Sequence, residues 1–254
     1  MRSVICISAV MQTKVLLVIR SLLFYAGYFG VTIILSTLLI VVFPLVNDRT
    51  RYRMATWWCS FILYWLHLCC GVHYQLIGEE NLPSGPVVIL ANHQSQWETI
   101  LFYKLVFPVA PILKRELMNI PFWGWALRLQ KPIAIDRSKP REAGKSLLIQ
   151  GVDRVKHGYS IIIFPEGTRS QPGTLKRFSR GGARLAVAAG APIVPIAHNA
   201  GDCWPARTFI KYPGLITVTI GSPISTCGAS DSDLTAQVEL WIKNQLRIDV
   251  LAGG

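Results

Sequence analysis

From Ser21 to Asn47 the chain reads SLLFYAGYFGVTIILSTLLIVVFPLVN, without a single charged side chain. As a helix, such a run is long enough to cross a hydrocarbon core of about 30 Å. It is apolar all round and offers water no polar face, which argues against a helix of a soluble bundle. A second uncharged stretch, Ala55 to Gln75, is heavy in tryptophan, tyrosine and histidine, residues that favour the membrane interface. Between the two stand Arg49, Arg51 and Arg53. A hairpin that crossed twice, with its ends in the cytoplasm, would export these arginines against the positive-inside tendency. The sequence therefore leaves two arrangements: one span followed by an interfacial helix, or two helices that enter one leaflet and return. The second is favoured, because it keeps Lys14, Arg20 and the arginine cluster near anionic headgroups, where each contributes roughly 1 kcal/mol. QTKVLLVIR after Met11 makes as sensible a start as Met1, and no short apolar core with a small-residue cleavage site marks a secretory signal.

Composition supports this reading. Over 254 residues the net charge is +12 while 51% of the chain is hydrophobic. Positive excess suits an anionic partner, and the high apolar content selects a membrane surface or a phosphorylated lipid from the possible anions. No zinc-finger spacing or basic helix with interleaved aromatics points to nucleic acid. Six cysteines (Cys6, Cys59, Cys69, Cys70, Cys203 and Cys227) form no C-x-x-C pair. They read as small core or membrane residues with reduced thiols, in keeping with a catalytic part that faces the cytoplasm.

After Gly78 the pattern changes to short apolar runs alternating with amphipathic segments. Strands are expected at 86–91, 132–136, 160–164, 192–197 and 215–221, and helices at about 96–106, 121–129, 140–157, 178–189 and 231–248. Such alternation predicts an α/β domain whose helices flank a largely parallel sheet. It spans 76–254, behind an N-terminal membrane-associated helical region at 1–75. Ligand groups in these folds gather at the carboxyl ends of strands, which makes the residues just past each apolar run the candidates for chemistry.

After the first strand comes ANHQSQWETI (91–100), placing His93 and Glu98 where the strand ends. Ser95-Gln96-Trp97-Glu98 is also S-x-x-E, a capping box, so Glu98 has a structural reading beside a catalytic one. After the third strand comes FPEGTRS (164–170), with Glu166, Gly167, Thr168 and Arg169 together at the sheet edge. Glycine there permits a tight turn or close backbone approach, and the planar arginine fork suits phosphate oxygens. The downstream Lys176, Arg177 and Arg180 read as a solvated loop. In KRELMNIPFWG (114–124) Lys114 is a point charge fit for a phosphate, whereas the aromatics suit core, lipid or substrate equally. The remaining histidines, His67, His73, His157 and His198, are scattered without ligand spacing, so no metal or cofactor is expected.

NHQSQWE (92–98), KRELMNIPFWG (114–124), FPEGTRS (164–170) and VPIA (194–197) resemble the four ordered motifs of the glycerolipid acyltransferases, most closely the bacterial 1-acyl-sn-glycerol-3-phosphate acyltransferases. The resemblance covers about 73 to 248 and the apolar N-terminal region. Glu98 departs from it by one methylene, since the family most often has Asp there. The resemblance implies transfer of an acyl chain from acyl-CoA or acyl carrier protein to the sn-2 hydroxyl of lysophosphatidate, giving phosphatidate, at the cell inner membrane. Other acceptors (glycerol 3-phosphate, another lysophospholipid or a lyso-aminolipid) and a non-catalytic membrane-binding protein are the alternatives. A hydroxyl is a poor nucleophile near neutral pH, so His93 is expected to take its proton and Glu98 to hold the imidazole. Lys114 and Arg169 are expected on the acceptor's phosphate. Glu166 either accepts from a substrate hydroxyl or orders Arg169 by an ion pair; a supporting role is favoured. Backbone N–H groups near Ser95 or Gly167 are candidates for the oxyanion.

Overall fold

The computed structural model describes residues 2–136 and 138–248, with side chains from Thr13 onward except Pro140. Met1 lies outside the described residues, so the choice of start does as well, and the side chain of Cys6 is not described. The other five cysteines are free thiols, four of them buried.

The chain opens with helix α1 (Arg2–Val42) and, after a 3₁₀ turn, α2 (Asp48–Cys70). Asn47 caps α2 by accepting from Thr50 N–H at 2.9 Å, and Gly71, at φ 69°, closes its far end in the left-handed region that glycine adopts without strain. The two helices pack as an antiparallel pair: Trp58 Nε1 donates to Thr32 Oγ1 at 2.9 Å, Trp65 Nε1 to Phe24 O at 3.2 Å, and Cys70 Sγ approaches Arg20 O at 3.7 Å. Thr13–Leu45 is long and apolar enough to cross a membrane, and among the described residues no other helix is. The second apolar stretch behaves differently from its expected uniform helix. It ends as a helix at Cys70, and its last residues join strand β1 (Val72–Ile77), which runs across the 75/76 boundary. Its buried face, including Ile62, Leu66 and Cys70, belongs to the same core as the sheet.

Gly27 sets the spacing of this pair. A Cβ there would stand 2.2 Å from Trp65 Nε1 and displace the indole from its carbonyl. Gly27→Ala is expected to cost roughly 1–3 kcal/mol through overpacking, read as a lowered thermal midpoint of the detergent-purified protein. An unchanged midpoint would mean the helices separate without strain.

Beyond the helical pair come β2 (Val88–Ala91), α3 (Trp97–Leu105), β3 (Val109–Ala110), β4 (Ile112–Lys114), α4 (Trp123–Arg128), β5 (Ile133–Ile135), α5 (Pro140–Lys156), β6 (Ser160–Ile163), α6 (Gly181–Ala189), β7 (Ile193–His198), α7 (Ala200–Cys203), β8 (Gly214–Ile220) and α8 (Asp231–Leu246). Six strands form one sheet in the order β1-β8-β7-β2-β6-β3, with β4 and β5 apart as a parallel pair. All neighbours in the large sheet run parallel except β7 with β8. Its central strands β2, β6 and β7 are buried on both faces, as their continuous apolar runs require, while the edge strand β1 is largely exposed. Along β2 the pleat alternates: Ile89 and Ala91 pack with α2, Trp97 and Phe102, while Val88 and Leu90 pack with α6 and α8.

Register decides where chemistry is possible. Leu90 lies opposite Ile163 of β6, and Ala91 opposite Ile196 of β7. The segments after β2 and β6 and the end of β7 therefore leave the sheet side by side, at one edge.

Candidate active site

The loop from Asn92 to Gln96 connects β2 to α3 and turns His93 toward that helix. Its Nδ1 lies 2.7 Å from Glu98 Oε1. The same oxygen accepts from Ser95 N–H at 2.8 Å and Gln94 N–H at 3.1 Å. Both readings of Glu98 thus hold at once: it caps the helix start and it holds the histidine. Half of the capping box is altered, because Ser95 Oγ accepts from Trp97 N–H at 3.1 Å rather than from the third helical residue.

Glu98 is fully buried, with relative exposure of 0%. Burial pushes its carboxyl up, but His198, His93 and the Ser95 N–H outweigh that and leave it below its usual value. Glu98 is therefore ionised near neutral pH, and His93 Nδ1 must carry the hydrogen it donates. In the neutral imidazole the other ring nitrogen, Nε2, holds the lone pair, and it has no hydrogen-bond partner among the described residues. The ring is stacked on Phe164 with centroids 4.1 Å apart and planes at 15°, which fixes its orientation from the second side.

The loop after β6 is tied to the same histidine by its backbone. Glu166 Oε1 accepts from His93 N–H at 2.7 Å, and Ser170 N–H donates to His93 O at 2.7 Å. The second Glu166 oxygen accepts from Ser170 Oγ and from Lys176 N–H at 3.0 Å. The ion pair between Glu166 and Arg169 envisaged from sequence does not form; Glu166 supports the histidine's own backbone instead. Gly167 takes φ 73°, in the region that glycine enters freely, and its N–H donates to Phe164 O at 3.0 Å. Gly167 and Thr168 are exposed and Arg169 half-buried. Of the N–H groups considered for the oxyanion, those of Gln94, Ser95 and Gly167 are all committed within the protein.

Arg169, Lys176, Arg177 and Arg180 form no ion pair within 4.0 Å among the described residues. The loop whose sequence reads as a solvated charge run thus carries cations without an ion-pair partner, on the segment whose Glu166 and Ser170 bond the His93 backbone. Lys114 stands exposed at the end of β4, in the separate two-stranded sheet, where it pairs with Glu116 at 3.4 Å.

Three further residues, Asn92, Gln94 and His198, complete the framework. Asn92 Nδ2 donates to His198 O at 2.9 Å, His198 N–H donates to Asn92 Oδ1 at 3.0 Å, and His198 Nε2 donates to Asn92 O at 2.8 Å. Ala200 N–H donates to His198 Nδ1 at 3.2 Å, so both imidazole nitrogens are used and the ring is neutral with its hydrogen on Nε2. Gln94 Oε1 accepts from Gly201 N–H at 3.2 Å. These bonds lock the residue before His93 to the end of β7. No sequence signal marks them, because they join positions about a hundred residues apart.

Burial lowers the His198 pKa, with Glu98 opposing. A histidine held neutral in the folded state binds its proton more readily when unfolded, so stability falls as pH drops below the unfolded value of about 6.5. The thermal midpoint is expected to decline between pH 7 and 5, and less steeply in His198→Gln. Parallel curves for the two proteins would contradict this assignment.

Beside α3 lies an apolar cavity of ≈ 150 Å³ between the helical pair, β4 and α4. Leu35 and Leu39 of α1, Trp58 of α2, Ile100 of α3, and Trp123 and Leu127 of α4 line it. It adjoins the helix that carries Glu98.

A family model described as Acyltransferase matches residues 73–199, half of the chain. The chain belongs to the acyltransferase family. A 1-acyl-sn-glycerol-3-phosphate acyltransferase of Pseudomonas aeruginosa is 43% identical over 232 residues, which are 90% of this chain and 90% of that protein. The enzyme of the same name from Saccharomyces cerevisiae is 32% identical over 69% of this chain, which spans 60% of the yeast protein. Among solved structures, the 1-acyl-sn-glycerophosphate (LPA) acyltransferase PlsC from Thermotoga maritima superposes with a TM-score of 0.78 at 25% identity, covering 95% of this chain and 99% of that one. As an acyltransferase, the chain places the first and third family motifs on one sheet edge and the fourth on the strand beside them.

Proposed function

We propose that this acyltransferase transfers an acyl group from a thioester donor, acyl-CoA or acyl carrier protein, to the sn-2 hydroxyl of 1-acyl-glycerol-3-phosphate, giving phosphatidate. The observation that carries the reading is the His93–Glu98 pair at 2.7 Å, with Nε2 left unpartnered in a chain 43% identical to an enzyme named for that reaction.

In this mechanism His93 Nε2 accepts the hydroxyl proton as the oxygen attacks the thioester carbonyl. Glu98 keeps the proton on Nδ1 and stabilises the imidazolium. Collapse of the tetrahedral intermediate expels the thiolate, which takes the proton back from His93, so the enzyme returns to its starting state. No serine nucleophile is required, since the attacking hydroxyl belongs to the acceptor.

Arg169 holds the acceptor's phosphate, with Lys176, Arg177 and Arg180 raising the local positive potential. Lys114 is assigned to the same phosphate on the strength of its motif; its present partner, Glu116, would be exchanged on binding. The apolar cavity beside α3 suits an acyl chain. The membrane is the inner membrane, with anionic lipid against the N-terminal helices and the catalytic part facing the cytoplasm. Nucleic acid has no place in this scheme.

Arg169→Ala is expected to raise the KM for lysophosphatidate by about 10–100-fold, the loss of one or two charge-assisted hydrogen bonds, with kcat changed far less. Steady-state transfer from labelled acyl-CoA measures both constants. A fall in kcat at unchanged KM would place Arg169 on the reacting atoms instead of the phosphate.

A further inference from the structure

The segment from Arg115 to Arg128 belongs to neither the histidine site nor the sheet, yet it exposes a compact apolar surface. Ile120 is 43% exposed, Phe122 39% and Trp125 46%. The rings of Phe122 and Trp125 stand 5.8 Å apart and form one patch. The turn that presents them is strained. Phe122 adopts φ 61° and ψ −76°, and Trp123 N–H donates to Pro121 O at 2.8 Å. This is the rare γ-turn of positive φ, a geometry that a non-glycine residue adopts only under strain.

Its place in the fold says what covers it. Helix α4 packs against α1, and the cavity between them is lined by Leu35 and Leu39 on one side and Trp123 and Leu127 on the other. Leu35 and Leu39 lie inside Thr13–Leu45, the stretch long and apolar enough to cross a membrane. Helix α4 therefore sits alongside the apolar run, not beyond its end. Lys114 and Arg115 are exposed at the start of the segment, and Arg128 at its end folds back onto Met118 O at 3.0 Å. Aromatic rings flanked by basic side chains, beside an apolar helix, match the headgroup boundary of a bilayer. A protein partner would need no such continuity with α1.

We propose that Ile120–Trp125 is a second lipid contact, a lip that immerses Phe122 and Trp125 in the interface of the same bilayer that holds α1. The proposal rests on the membrane reading of α1. It makes the catalytic part a participant in membrane binding and sets the α4 wall of the acyl cavity against lipid.

Site-specific photocrosslinking tests it. p-Benzoylphenylalanine is placed singly at Ile34, Phe122, Trp125 or Ile149 of the full chain, which is reconstituted into vesicles of phosphatidylethanolamine and phosphatidylglycerol carrying a traceable lipid. Ile34 reports on α1, and Ile149, 60% exposed on α5, reports on a surface expected to face water. Lipid adducts at Ile34, Phe122 and Trp125 but not Ile149 are the expected result. Adducts at Ile34 alone would overturn the lip and leave the membrane reading of α1 standing. Adducts nowhere would overturn both, and adducts at all four would deny the patch any distinction. As a second readout, Phe122→Ser/Trp125→Ser is expected to raise the KM for vesicle-borne lysophosphatidate by about tenfold, as removal of two interfacial apolar side chains implies. An unchanged KM beside unchanged adduct yields would overturn any functional role for the lip.

Discussion

His93→Ala is expected to lower turnover of lysophosphatidate by about 10²–10⁴-fold, the contribution typical of a positioned general base. The substitution removes the imidazole without disturbing what holds the loop. The His93 backbone N–H stays on Glu166 and its carbonyl on Ser170 N–H, while Glu98 Oε1 keeps the Ser95 and Gln94 N–H groups. Lost with the ring are its stacking on Phe164 and one of the three donors to the buried Glu98 Oε1, which together cost about 1–3 kcal/mol. The protein should therefore stay folded, with a thermal midpoint lowered by several degrees, even as phosphatidate production collapses, with circular dichroism and labelled-product assays run on the same preparation. Exogenous imidazole should recover part of the rate, because the vacated slot between Phe164 and Glu98 has the shape of the ring. Full turnover without the ring would mean that another group takes the hydroxyl proton.

The His93–Glu98 pair is legible in the amino-acid sequence because the two residues are close in the chain, on a strand end and the adjoining helix. The apolar runs behind β2, β6 and β7 are also plain, since buried strands of a parallel sheet must be apolar on both faces. Two kinds of feature escape a sequence reading. β3 and β4, at two and three residues, are too short to carry a period, and β1 is hidden in the tail of an apolar run that looks helical. The second kind is contact between distant segments. Asn92 and His198 are ordinary polar residues until β2 and β7 lie side by side, and the place of Glu166 under the His93 backbone depends on the β2–β6 register. Local sequence points to the supporting role of Glu166 but to Arg169 as its partner, because a neighbouring charge is visible in a sequence and a distant backbone N–H is not.

Substitutions at Glu98 separate geometry from charge. Three donors converge on one oxygen, Oε1, while the buried Oε2 has no hydrogen-bond partner among the described residues. Glu98→Gln can keep its carbonyl oxygen under the same three donors, so the imidazole stays aimed. The amide NH₂ then occupies the Oε2 position, where a buried donor without an acceptor costs about 1–3 kcal/mol. What the variant loses is the negative charge that stabilises the imidazolium as the proton arrives. Its turnover is expected to fall by about 10–10²-fold, since a charge-assisted bond is roughly twice as strong as a neutral one. Glu98→Ala removes charge and aim together, strands the Gln94 and Ser95 N–H groups, and should approach the loss in His93→Ala, at about 10²–10³-fold. Glu98→Asp keeps the charge but draws it back by one methylene from a loop built around the longer side chain, and should fall between wild type and Glu98→Ala. Single-turnover rates for the three variants, with KM measured in parallel, give the order directly. If Glu98→Gln were as inactive as Glu98→Ala while still folded, charge alone would account for the role. If it matched wild type, the charge of Glu98 would contribute nothing, and its role would be to aim the imidazole and cap α3.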